Sequence, residues 1–291
     1  MKLEQVGPFR IKRPSASAVW GPTLSQREWD NVDAVFERRS DGGGDWNVKN
    51  PDMNKPWLIQ VQGVSFQLKL TGFGHLGIFS EQEKNWVQLR EIIQSEIKKK
   101  NIDPTGKSIG SSDTFRVLNL FAYTGGSSLF SAQAGAEVVH IDASKSSVAW
   151  AKENAAASGL ESKPIRWIVE DVQEFVKKEI RREKTYHGII LDPPSYGRGN
   201  KNQVWKIEDH LMPLLKDIKS ILAEDFSFIL LSAHSPGYTP VSLENQLKQI
   251  FISTAKQKEQ VEFDSGEMLI FDQQKNALPS GAYSLLKMLV K

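Results

Sequence analysis

From about residue 114 onward, short apolar, β-branched runs alternate with segments of helical period, and no other feature of the chain restricts its fold so tightly. The runs read as strands at Phe115 to Phe121, Glu137 to Asp142, Ile165 to Val169, His187 to Asp192, Phe226 to Ser232, Val261 to Phe271 and Tyr283 to Val290. Helical segments near Ser127 to Ala134, Ser144 to Ser158, Val172 to Lys184, Glu208 to Ala223 and Ser242 to Lys256 lie between them. Such repetition builds a parallel sheet covered by helices, because each crossover must return the chain to the same edge. The expected fold is α/β, a doubly wound, seven-stranded, Rossmann-like sheet over residues 114–291. The last two strands are joined by "DQQKNALPSG" without a helix, so they are expected as an antiparallel, hairpin-like pair at one edge.

Residues 1–79 follow another pattern. Glycine and proline punctuate short pieces such as "PFRIKRP" and "WLIQVQGVSFQLKL", which suits a small β-rich N-terminal region. Residues 80–113 read as a connecting helix and loop: Ser80 and Glu83 have capping-box spacing ahead of a helix to about Lys100, and "NIDPTGKSIGSSD" follows as a loop. At 291 residues the chain can hold both a large and a small domain. No apolar run approaches the roughly 18 residues that span a bilayer, and "MKLEQVGPFRIKR" has no signal-peptide core, so no membrane association and a cytoplasmic location are expected. The chain has no cysteine, which excludes disulfides, thiolate metal sites and cysteine nucleophiles, and no His/Cys cluster points to a metal. With 37 basic and 35 acidic residues there is no global pull on nucleic acid. The runs "KKK" and "KKEIRREK" read as a helix end and a solvated helix face.

Ligands of open α/β sheets bind at the carboxyl edge of the strands, and here several strands end there in acids. The first strand runs through "FAYTGGSSLF" into a helix. This turn lacks the G-x-G-x-x-G that a pyrophosphate needs; it suits a cofactor without phosphates, such as S-adenosylmethionine, and equally an ordinary strand-to-helix turn. Asp142 ends the second strand, placed to accept both hydroxyls of a ribose. Glu170 and Asp171 end the third, where an acid could accept an adenine amine. Each acid alone also fits a helix cap. The fourth strand runs into "LDPPSYGRG": the prolines fix the backbone after Asp192 and leave its carboxylate at the edge, or else form a turn after a core strand.

The segments "VLNLFAYTGGSSL", "GAEVVHIDASKSSVAWAKEN", "EDVQEF" and "DPPSYGRG", in this order, resemble the class I S-adenosylmethionine-dependent methyltransferases, and among them the bacterial large-subunit ribosomal RNA methyltransferase group. "GHLGIFSEQEKNW" resembles the segment that precedes the catalytic core in that group, so the resemblance covers roughly residues 70–290. The first 70 residues differ from the RNA-binding PUA domain that many members carry. The resemblance implies S-adenosylmethionine as cofactor and an RNA substrate. It places Asp142 with Ala143 and Ser144 at the ribose, and Asp171 with Val172 at the adenine. It puts the turn Ala122, Tyr123, Thr124, Gly125 and Gly126 at the methionine moiety, and Phe79, Gln82 and Asp192 near the cofactor.

In the D-P-P-x-aromatic motif the Asp192 carboxylate and the Pro193 carbonyl both accept hydrogen bonds, which fits a planar amine. Tyr196 could stack on the base that carries it, or pack the loop onto the sheet. Asp192, Pro193 and Tyr196 are thus the candidate catalytic residues. "GRGNKNQVWK" reads as a flexible loop, whose Arg198, Lys201 and Lys206 could meet phosphates or simply be solvated. His234, in "SAHSPGY", is a possible proton relay or a structural strand-end histidine. Methylation of a pyrimidine carbon-5 requires a cysteine nucleophile, which is missing, so a base nitrogen is the expected acceptor. The alternatives are a methyltransferase acting on a protein side-chain amide or a small molecule, favoured if the N-terminal region has no basic face, and a non-catalytic nucleotide-binding module. Nothing in the pattern sets the oligomeric state.

Overall fold

The computed structural model describes residues 1–40, 42–99, 114–198, 203–252 and 260–289. The chain divides into two units: Met1–Ser80 with Phe271–Leu278, and Glu81–Ile270 with Pro279–Lys291.

The first unit contains β1 (Lys2–Val6), β2 (Phe9–Arg13), α1 (Gln26–Asp30), β3 (Ala34–Arg38), β4 (Gly44–Val48), β5 (Trp57–Val61) and β6 (Val64–Leu68). Strands β1 to β4 form one sheet in chain order, with β2 and β3 parallel, and β5 and β6 form a separate hairpin. Phe9, Ile11, Ala34, Met53 and Leu76 make its core. A capping box closes α1 at Ser25 and Glu28. Ser80, three residues before Glu83, opens a 3-10 turn, Ser80–Gln82, which feeds the next helix.

The second unit begins with α2 (Glu83–Lys99) and continues with β7 (Arg116–Leu120), α3 (Gly126–Gln133), β8 (Glu137–Asp142), α4 (Lys145–Ala157), β9 (Ile165–Val169), α5 (Val172–Arg181) and β10 (Gly188–Leu191). After these come β11 (Tyr196–Arg198), β12 (Val204–Lys206), α6 (Ile207–Lys219), β13 (Phe228–Ala233), α7 (Pro240–Phe251), β14 (Val261–Phe271) and β15 (Ala277–Met288). Seven strands form one sheet in the order β14-β15-β13-β10-β7-β8-β9. The pairs from β13 to β9 are parallel, and β15 runs antiparallel to β13. The expected α/β, doubly wound, seven-stranded sheet is therefore present, with β14 at one edge and β15 inside it.

Alternation along the central strands sends side chains to two apolar layers. Leu118, Leu120, Ile189, Leu191, Ile229 and Leu231 face the layer built with α5, α6 and α7. Val117, Ile190, Phe228 and Leu230 face the other, which Leu89, Ile93 and Ile97 of α2 help to fill. Each such side chain contributes roughly 1.5–3 kcal/mol by burial, so α2 is a layer of this unit as well as a connection. Two features differ from the sequence reading. β15 begins at Ala277 rather than Tyr283, because the hairpin carries the strand pair past the turn. Part of the expected loop at Gly197 to Lys206 is a two-stranded ribbon, with Tyr196 opposite Lys206 and Gly197 opposite Trp205; strands of three residues are too short to show a period. The expected loop from Asn101 to Asp113 lies outside the described residues, as do Gly199 to Asn202, the end of the helix toward Lys256, and Val290.

Candidate functional site

The turn after β7 is unusual in its backbone. Phe121 and Tyr123 have φ of 57° and 48°, and Gly125 has 91°, so three alternate residues are left-handed. Outside glycine such geometry is uncommon, and it clusters at ligand sites. Hydrogen bonds hold it: Ala122 N donates to the Ile141 carbonyl at 2.9 Å, Gly125 N to the Ala122 carbonyl at 2.9 Å, and Asn154 Nδ2 to the Thr124 carbonyl at 2.9 Å. Gly126 has a different reason to be glycine. A Cβ there would stand 2.6 Å from the Trp86 ring of α2.

Asp142 is tied to the same turn. Its Oδ2 accepts from Tyr123 N and its Oδ1 from Ser144 N, both at 2.8 Å, so one carboxylate joins the ends of β7 and β8. Burial raises its pKa above the usual carboxylate range, against the lowering effect of those two bonds. Each oxygen keeps a further lone pair for a ligand hydroxyl. Ala143 and Ser144 follow half-buried, and Ser144 caps α4 through Ser147 N. Asp171 caps α5: its Oδ1 accepts from Glu174 N at 3.1 Å. Val172 is buried in the core beside it, and Glu170 is paired with Lys178. Phe79 belongs to the first unit, where it meets the His75 ring edge-on at 5.1 Å.

Asp192 follows β10 and is the centre of a polar network. Oδ2 accepts from Gln82 Nε2 at 2.9 Å. Gln82, itself buried, also donates to Ser232 Oγ at 2.9 Å and accepts from Asn85 Nδ2 at 2.7 Å. The amide of Gln82 is thus engaged with Asp192 and its neighbours. Asp192 Oδ1 is out of solvent and has no hydrogen-bond partner; the nearest charge is His234 Nε2 at 3.6 Å. Burial alone would raise the Asp192 pKa, yet the charge on His234 and the hydrogen bonds around it hold it below the ordinary range. His234 moves the other way, to about 9, because Asp192, Glu81 and the Ser280 carbonyl outweigh the effect of its burial.

The rest of the motif is braced from below. Trp205 Nε1 donates to the Pro194 carbonyl at 2.7 Å and its ring lies 4.7 Å from that of Phe121, while Ser195 and Ser235 share a hydrogen bond of 2.6 Å. Pro193 is buried, and Tyr196 is 52% exposed on the ribbon. Lys206 lies 3.9 Å from Asp209. Only the backbone of Arg198 is described, and Lys201 lies outside the described residues. Sequence reasoning missed Trp205, Ser232, Glu81 and Asn85; a tryptophan inside a polar loop was the one available signal. In the first unit Lys2, Lys12, Arg13 and Arg39 each sit within 4.0 Å of a carboxylate, which argues against these four as a phosphate-binding face.

Among the described residues no group of three or more His, Asp or Glu side chains could hold a metal ion, and no helix is long and apolar enough to cross a membrane. A seven-stranded sheet with one antiparallel inner strand, ending in a left-handed turn and successive acids, defines the class of S-adenosylmethionine-dependent methyltransferases. The chain belongs to the family described as RNA cap guanine-N2 methyltransferase, whose model matches residues 114–286. The S-adenosylmethionine-dependent methyltransferase from Agrobacterium tumefaciens is 35% identical, with a TM-score of 0.86 over 98% of this chain and 86% of that one. The structure of SMU.776, a methyltransferase complexed with SAH, has a TM-score of 0.67 at 23% identity, over 90% of this chain and 63% of that one, and shows the shared fold. Ribosomal RNA large subunit methyltransferase K/L of Shewanella frigidimarina is 32% identical over 53% of this chain and 19% of its own length. The chain therefore spans about a fifth of the length of the curated relatives it matches.

Proposed function

We propose that the protein methylates a nitrogen of an RNA base, ribosomal RNA being the favoured substrate, in the cytoplasm. One observation carries the choice of acceptor: Asp192 Oδ1 is buried without a hydrogen-bond partner at the sheet's carboxyl edge, next to Pro193 and the exposed Tyr196. A buried acceptor left unpaired is costly unless a ligand donor meets it. An amine N–H supplies that donor, with the Pro193 carbonyl as second acceptor. Tyr196 offers its ring to the base, a contact worth about 1–3 kcal/mol in single-stranded nucleic acid. The family description and the names of the relatives support RNA as substrate.

The residues fit S-adenosylmethionine. Asp142, flanked by Ala143 and Ser144, would take the ribose hydroxyls on its remaining lone pairs, and the second oxygen of Asp171, beside Val172, would take the adenine amine. The turn Ala122, Tyr123, Thr124, Gly125 and Gly126 would lie along the methionine portion. Gln82 acts through Asp192. Bound, the cofactor supplies an electrophilic methyl carbon on a sulfonium. Asp192 and Pro193 orient the amine so that its lone pair faces that carbon, which is catalysis by positioning. With the cofactor bound, ionised Asp192 would be placed to accept the one proton that the amine nitrogen gives up in exchange for the methyl group.

The test is methyl transfer from labelled cofactor to RNA, protein and small-molecule fractions, with mass spectrometry of nucleosides. An N-methylated base is expected. Label in protein or small molecules alone, or 5-methylcytidine or 5-methyluridine in the RNA, would overturn the reading.

A further inference from the structure

His234 is the first residue after β13, and its surroundings fix its protonation. Nδ1 lies 2.8 Å from the Ser280 carbonyl of β15, which can only accept, so Nδ1 carries a hydrogen. Nε2 then faces Asp192 Oδ1 at 3.6 Å. A neutral ring would set a lone pair against a carboxylate; a charged ring sets an N–H there. Glu81 Oε1, from the turn before α2, adds a second carboxylate 3.7 Å from Nδ1. The seat is tight, since a Cβ on Gly281 would stand 3.0 Å from His234 Nδ1. Asp192 after β10, Glu81 before α2 and the Ser280 carbonyl on β15 are the groups that set its charge. At 3.6 Å the contact with Asp192 is an ion pair longer than a hydrogen bond, so it lends charge without occupying the lone pair of Oδ1.

We propose that His234, held as an imidazolium by Ser280, Glu81 and Asp192, is the positioning residue that keeps Asp192 an ionised acceptor aimed at the substrate amine. The inference rests on the methyl-transfer reading of Asp192. A protonated ring has no lone pair for the substrate's proton, so His234 acts through Asp192 and takes no proton itself. As pH rises through about 9 the ring loses its charge, Asp192 loses its partner, and turnover falls.

Two measurements on the full chain test this. In wild-type protein kcat should decline above about pH 9, whereas His234→Gln should be slower by roughly tenfold or more at neutral pH, with unchanged cofactor affinity and no alkaline decline. By NMR the His234 ring should titrate near 9 and fall by at least about one unit in Asp192→Asn, toward the ordinary value. A wild-type ring titrating near about 6.5, or a His234→Gln enzyme with the wild-type kcat and pH profile, would overturn the inference alone. Wild-type protein that binds cofactor yet methylates no fraction would overturn the functional reading and this inference with it.

Discussion

At Asp142 each carboxylate oxygen already accepts a backbone N–H, from Tyr123 and from Ser144, before any ligand arrives. Asp142→Ala should therefore lower two quantities together. Cofactor affinity should fall by about 1.5–3 kcal/mol, the scale of hydrogen bonds to a charged group, and the ligand-free protein should lose on the order of 1–3 kcal/mol as buried amides go unpaired. Calorimetry with S-adenosylhomocysteine reads the first and thermal melting the second; unchanged affinity would leave Asp142 as a structural tether only. Asp192→Ala should separate these effects, keeping near-normal cofactor affinity while kcat collapses, as steady-state kinetics beside calorimetry would show. The positions of Asp142, Asp171 and Asp192 were legible in the sequence because an acid after an apolar run marks a strand end locally. The partners of Asp192 were not. Gln82 is 110 residues from it, and no spacing rule spans such a distance.

Between α2 and α3 the two glycines of the turn have different local reasons to be glycine. Gly125 and Gly126 read together as a cofactor turn, yet only Gly125 has a left-handed backbone; Gly126 leaves room for Trp86. Gly126→Ala should destabilise the protein by about 1–3 kcal/mol through overpacking, and Trp86→Leu in the same chain should recover part of the loss. Denaturant melts of the two single variants and the double variant would show the coupling. The ribbon of β11 and β12 was illegible for a related reason: its anchors are single contacts, such as the hydrogen bond from Trp205 to the Pro194 carbonyl and the Trp205 ring against Phe121, not a repeating pattern. The central strands were read well because they are buried on both faces, and their apolar runs need no knowledge of partners.

For the whole molecule, the pair at Asp192 and His234 sets a pH window. His234 rises in the folded state to about 9, so its contribution to stability is full below its unfolded value of roughly 6.5 and is lost as pH climbs through about 9. Asp192 is lowered, so its contribution is present at neutral pH and is lost in acid. Unfolding free energy from denaturant melts between about pH 6.5 and 9 should fall in the wild type by an amount on the order of 2 kcal/mol, and should stay nearly flat in His234→Gln. The order of strands has a separate consequence, in time. β15 lies between β13 and β14, and among the described residues β14 has no other neighbour in the sheet. A chain leaving the ribosome therefore presents β13 with a bare flank and β14 with nothing to pair with, until the last strand emerges and is slotted between them. A nascent chain ending before Ala277 would therefore expose two sticky strand edges at once.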